Sequence, residues 1–250
     1  MARRSNLKLV DHEAKSTVKA KTPRKPKLRI DDLVTIEPLT ENQSEFFKAY
    51  NRGDELIALH GVAGTGKTFV ALYKALEEVL DKGNNYDKII VVRSAVQSRD
   101  IGHLPGDVAE KLAIFQQPYK QICKALFEQT DAWDLLEEVG TIEFISTSFI
   151  RGQTFDDAII IVDEMQNMNF EELDTVMTRV GNRSKIIWCG DYRQTDLRKH
   201  NDKTGILRFF EITKYMSSFT KIEFEVEDIV RSDLVKEYII AKTKFEDKER

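Results

Sequence analysis

The chain has 250 residues, 41% of them hydrophobic and 32% charged, a balance that suits a globular protein with a sizeable core. It has no apolar run near the ~20 residues that span a bilayer, no secretory signal, and only two cysteines, Cys123 and Cys189. That excludes a helical membrane protein, a disulfide scaffold and a cysteine-rich zinc module, and a cytoplasmic setting is expected. The net charge of −4 hides a split: residues 1–29 carry ten Lys/Arg against Asp11 and Glu13, or +8, and the rest carries 28 basic against 40 acidic residues, or −12.

The basic stretch is poor in large apolar residues and contains Pro23 and Pro26, so a mobile leader (1–29) is expected ahead of one domain over 30–250. It reads equally as a solvated tail and as an arm that meets nucleic acid or pairs with the acidic body. Next, LTENQSEFFKAY (39–50) predicts a helix, with Thr40 as N-cap, Gln43 in capping-box spacing, and Phe46, Phe47 and Tyr50 turned inward. ELIALHG (55–61) predicts a buried strand, FVALYKALEEVL (69–80) an amphipathic helix, and KIIVVR (88–93) a second strand. Residues 106–128 carry helical periodicity that Pro118 should interrupt. Strands follow at 141–146, 158–164 and 185–191, with a helix at 169–180; the end reads helix (205–212), strand (219–225), helix (231–243). Helices alternating with apolar strands indicate an α/β fold, a mostly parallel sheet with helices on both faces. Ligands on such sheets bind beyond the carboxyl ends of the strands.

Three of those strand ends carry candidate chemistry. Directly after the first strand stands GVAGTGKT, comprising Gly61, Val62, Ala63, Gly64, Thr65, Gly66, Lys67 and Thr68, a full match to G-x-x-x-x-G-K-[ST]. The glycines allow a tight loop with inward N–H groups, and the next helix adds its positive end. Lys67 would neutralise the β/γ-phosphates of a nucleotide, and the Thr68 hydroxyl would serve Mg²⁺. AIIIVDE (158–164) ends in Asp163, able to hold Mg²⁺ through its water shell, and Glu164, able to polarise an attacking water as general base. The plainer reading of that acidic pair is a helix N-terminus. IIWCGDYRQTDL (186–197) supplies Gln194, which could contact a γ-phosphate or orient the lytic water. Cys189, the four histidines, Trp133 and Trp188 read as packing or surface residues, not ligands.

These stretches, together with VVRSAV (91–96), IGHLPGD (101–107), FIRGQTFDDAIIIVDEMQN (149–167) and EDIVRSDLVKEYI (227–239), resemble the PhoH-like proteins, P-loop ATPases related to the first RecA-like domain of superfamily 1 helicases. The likeness runs from about Leu39 to about Thr243; Met165 stands where the family usually has alanine, and VRSA (92–95) where it usually has TRPA. The resemblance implies a RecA-like P-loop NTPase with ATP and Mg²⁺ as cofactors. It also implies adenine recognition by Gln43, whose residue-level role is capping, and an arginine, Arg231, set against the γ-phosphate from its own or a neighbouring subunit. Arg93 and Arg151 could serve phosphate, nucleic acid or a subunit contact. A single RecA-like lobe supplies half of a helicase-type site, so the resemblance implies a homo-oligomer, a ring or hexamer, and a nucleic-acid partner, RNA ahead of DNA. The competing expectation is a regulatory nucleotide-binding protein acting through protein partners in a phosphate-starvation or stress response. A small-molecule kinase is disfavoured by the adjacent Asp163–Glu164 pair.

Overall fold

The structure, a computed structural model, describes residues 27–94, 108–191 and 200–248. Residues 1–26 of the leader, the LPGD stretch and Gln194 lie outside the described residues. Six strands, β1 (Leu56–Gly61), β2 (Lys88–Arg93), β3 (Ile142–Ser146), β4 (Ala158–Asp163), β5 (Lys185–Gly190) and β6 (Phe219–Phe224), form one sheet in the order β3-β2-β4-β5-β1-β6. Every ladder is parallel. β1, β4 and β5 are buried along their whole length, whereas the edge strands β3 and β6 carry exposed Glu143 and Lys221. Interior strands of a parallel sheet are covered on both faces and can be apolar throughout, while edges need polar residues that discourage further pairing.

The period-two alternation of a strand divides the core. Ile159 and Ile161 of β4 point to one face, where α1 (Glu41–Asn51), α2 (Lys67–Leu80), α3 (Val108–Phe127) and α4 (Ala132–Glu138) bury Phe46, Leu72, Tyr119 and Trp133. Ile160 and Val162 point to the other, against Leu173 of α5 (Phe170–Met177) and Ile206 and Phe209 of α6 (His200–Thr213). α7 (Asp233–Lys248) runs past the end of β1, with Ile239 near Gly64. This is the two-faced, RecA-like P-loop architecture expected from the sequence.

Several elements differ from expectation for local reasons. α3 is continuous through Pro118, because a proline removes only one intrahelical hydrogen bond and the turns that follow are held by buried Tyr119, Cys123 and Leu126. α4 is unexpected: its seven residues are too few for a periodic signal, and it is held by burying Trp133, Leu135 and Leu136. α5 stops at Met177 instead of 180, since the Arg179 carbonyl accepts Phe155 N–H (2.9 Å) and Val180 forms a bridge to Phe155. α2 starts at Lys67, earlier than expected, with left-handed Gly66 as its N-cap (φ 81°). Leu28, inside the expected leader, is buried in the core, so a truncation that spares the fold ends at Pro26.

Candidate active site

The loop after β1 is shaped by glycine. Gly61 has φ 122°, and a Cβ there would lie 2.0 Å from the Phe224 carbonyl oxygen of β6. The chain then turns through Gly64 and Gly66, both left-handed, before α2 begins. Each turn of this loop is tied down by hydrogen bonds from distant parts of the chain. Val62 N–H donates to the Phe224 carbonyl (3.0 Å), and Val230 N–H to that of Gly64 (3.0 Å). The Gln43 side-chain amide donates to the Thr65 carbonyl (3.0 Å), while its oxygen accepts Leu39 N–H (2.8 Å). Gln43 N–H in turn donates to Thr40 Oγ1 (3.3 Å). Thus the cap of α1 and the phosphate loop share one buried amide. Gln43→Ala removes both of its anchors and is expected to weaken ADP binding about tenfold in a fluorescent-nucleotide titration; unchanged affinity would show that the loop holds its shape without them.

Lys67 Nζ donates to the Gly61 carbonyl (3.0 Å), the Val62 carbonyl (2.7 Å) and Thr65 Oγ1 (3.2 Å), so the ammonium is centred in the loop. Burial pulls its pKa below the ordinary lysine value, and nearby Asp191, Glu164 and Asp163 oppose that pull. Across the cleft, Thr68 Oγ1–H donates to Asp163 Oδ1 (2.7 Å) and the Tyr119 phenol donates to Asp163 Oδ2 (2.8 Å). Burial, and then the Asp163 charge, push the Tyr119 pKa well above the usual phenol range, which keeps it a donor.

Glu164 follows β4 with φ 53°, a left-handed conformation uncommon for a side chain of this size. Burial and the neighbouring Asp163 raise its pKa above the usual carboxylate value. The buried Gln166 amide donates to the Glu164 carboxylate and accepts Asp191 N–H (3.0 Å), linking the ends of β4 and β5. Gly190 makes this link possible, since a Cβ there would lie 2.3 Å from Gln166 Oε1.

A cleft of about 770 Å³ joins these groups. It is lined by Gln43, Ala63 through Thr68, Asp163 and Glu164, with Asp191, Gln166, Arg93 and Arg231 around them. Gly61 and Val62 form the base of the loop behind it. Arg231 belongs to the same chain as the loop it covers: its Cγ would lie 3.1 Å from a Cβ on Gly64. Arg93 lies over the Phe115 ring (5.6 Å) and faces the phenol of Tyr119. Its pKa is lowered by burial but raised on balance by Tyr119, Asp163 and Glu164. Arg151 is exposed and does not line the cleft. Two residues escaped sequence reasoning. Gln166 stands two positions after Glu164, where a polar amide following a buried strand was a usable local signal. Tyr119 had none, because its partner lies 44 residues away.

Residues 35–242 match the PhoH family model, described as PhoH-like protein. The PhoH-like protein of Bacillus subtilis (strain 168) is 36% identical over 209 residues, 83% of this chain and 64% of that protein. The PhoH-like protein of Synechocystis sp. is 34% identical over 233 residues, 92% of this chain and 67% of that protein. The chain thus spans about two thirds of the length of these curated relatives. Among solved structures, the large terminase from a thermophilic bacteriophage in complex with ADP aligns over 80% of this chain and 49% of its own, at 14% identity and a TM-score of 0.48. With the family model matched over most of its length, the chain belongs to the PhoH-like protein family.

Proposed function

We propose that this domain binds ATP with Mg²⁺ in the cleft and hydrolyses it, and that hydrolysis is coupled to work on nucleic acid, RNA ahead of DNA, within a ring-like homo-oligomer. The observation that carries the reading is the convergence of Lys67, the Thr68–Asp163 pair and Glu164 on one cleft at the carboxyl ends of β1 and β4. The loop N–H groups and Lys67 hold the β- and γ-phosphates. Thr68 and Asp163 offer hard oxygens at one point, and the described residues contain no cluster of three or more His, Cys, Asp or Glu able to hold a metal by itself. That donor set fits Mg²⁺, which takes few protein ligands and completes its shell with nucleotide phosphate and water. When bound, Mg²⁺ supplies positive charge to the transferred phosphoryl group. Glu164 takes the proton of the attacking water, Gln166 steadies that carboxylate, and Gln194 senses the γ-phosphate from the segment after β5. Arg231 lies close enough to the loop to act in cis on the same phosphate. Gln43, its amide bonded to Thr65 and Leu39, stands with Leu39 and Ile36 in the wall of the cleft where the adenine would lie.

The oligomer reading is supported by α7, whose exposed Leu234 (76%), Tyr238 (67%) and Phe245 (61%) lie at helical spacing. No helix among the described residues is long and apolar enough to cross a membrane. The RNA reading draws on the +8 charge of residues 1–29 against the acidic body.

The test is Mg²⁺-dependent ATP turnover by the purified chain, alone and with single-stranded RNA at several salt concentrations, with mass by light scattering. Turnover stimulated by RNA is expected, and removal of residues 1–26 should weaken RNA binding and flatten its salt dependence while sparing basal turnover. No ATP turnover sinks the enzymatic reading. Turnover indifferent to RNA leaves the regulatory nucleotide-binding alternative, and full activity in a monomer removes the oligomer.

A further inference from the structure

The carboxylate that the Mg²⁺·nucleotide reading assigns to the cation is held from behind by a residue outside every recognised motif. Tyr119, in the middle of α3, is completely buried, and its hydroxyl donates 2.8 Å to Asp163 Oδ2. Thr68 donates 2.7 Å to the other oxygen. An ionised carboxylate has about four lone-pair positions, so two donors arriving on opposite oxygens fix its plane and still leave each oxygen able to accept again. The ring packs against Trp133 (6.0 Å between centroids) and Phe144 (5.7 Å), while the hydroxyl alone reaches the carboxylate. A tyrosine kept only for packing could satisfy its hydroxyl on any backbone carbonyl; this one is spent on the buried carboxylate at the end of β4. The same helix also walls the cleft through Pro118, Gln121 and Ile122, so α3 meets the nucleotide space and the carboxylate together.

We infer that Tyr119 is a positioning residue for the divalent cation: its hydroxyl holds the Asp163 carboxylate in the orientation that serves the cation, and through it α3 becomes part of the cation site. The inference rests on the Mg²⁺·nucleotide reading of the cleft. Partners that orient a metal-binding group typically change metal affinity 10- to 100-fold when removed.

The experiment uses Mn²⁺ as the probe, following the free ion by electron paramagnetic resonance in the full chain with ADP, and measures ADP affinity separately in EDTA. Tyr119→Phe deletes one oxygen and keeps the ring. It is expected to weaken Mn²⁺ binding in the ADP complex about tenfold or more, and to change ADP affinity in EDTA less than twofold. Trp133→Phe, which thins the packing around the same ring without touching the hydroxyl, is expected to leave Mn²⁺ affinity unchanged. Equal Mn²⁺ affinity in wild type and Tyr119→Phe overturns the inference while leaving the cleft's assignment standing. So does an equal loss in Trp133→Phe, or a parallel loss of metal-free ADP binding, since either marks a packing role. If the wild type binds ADP but takes up no Mn²⁺ with it, the cation reading itself fails and Tyr119 falls with it.

Discussion

Glu164→Gln is expected to lower ATP turnover by about 10²- to 10³-fold while leaving ADP affinity within a factor of about three. The side chain keeps its shape and its oxygen can still accept from the Gln166 amide, so only the ability to take a proton is lost. The loss should therefore fall on kcat and not on KM. A second substitution separates catalysis from folding. Glu164 has a left-handed backbone (φ 53°), a conformation that costs a non-glycine residue roughly 1–2 kcal/mol. Glu164→Gly removes that cost, so the variant should fold at least as well as the parent and still be inactive. Strain retained at one carboxylate is expected where function requires that residue in that place. Both variants would be assayed for turnover and for thermal unfolding, and wild-type turnover in either would remove Glu164 from the mechanism.

Gly61→Ala should be the most damaging single-methyl addition in the phosphate loop. The new Cβ would meet Phe224 backbone atoms at 2.0, 2.9 and 2.9 Å, and backbone cannot rotate aside as a side chain can. Gly61 pairs with Phe224 in the β1–β6 ladder, and Val62 N–H bonds the same carbonyl, so the methyl group pries the edge strand from the sheet where the loop begins. A loss of about 3 kcal/mol or more is expected, together with loss of nucleotide binding. Gly53→Ala is the control. Gly53 also has a positive φ (90°) but nothing within 4 Å of a built Cβ, so it should cost only the roughly 1–2 kcal/mol of the backbone conformation. Urea unfolding midpoints compare the two; equal losses would mean that conformation, and not the clash with β6, sets the cost.

The parts of the cleft legible in the sequence are those whose physics is local. Gly61 through Thr68 are contiguous, and the strand before and helix after them supply the geometry that a phosphate loop needs. Asp163 and Glu164 stand at the end of a wholly apolar strand, which marks the carboxyl edge of the sheet. The Thr40–Gln43 cap was legible too, but not that the Gln43 amide reaches Thr65, 22 residues on. Tyr119 is the extreme case: from the sequence it is one more aromatic on an amphipathic helix, and only the packing of α3 against β4 aims its hydroxyl at Asp163. α4 and the unbroken passage of α3 through Pro118 were missed because tertiary burial outweighs local propensity in short or interrupted segments.

The place of β5 in the sheet has a consequence for how the protein is born. β1, which leads into the loop that carries Lys67, and β4, which carries Asp163, share no ladder; each is stitched to β5 from opposite sides. Leu56 meets Ile186 across about 130 residues of chain. A nascent polypeptide that has not yet delivered Lys185–Gly190 therefore holds one half-sheet, β3-β2-β4, with the edge of β4 unpaired, and a lone β1 whose two partners, β5 and β6, are both still to come. Joining β1 to that half-sheet is a single long-range event, of the kind that makes folding slow and leaves unfinished chains prone to association. During synthesis β5 acts as a keystone: the two halves of the cleft come into register only once it is seated.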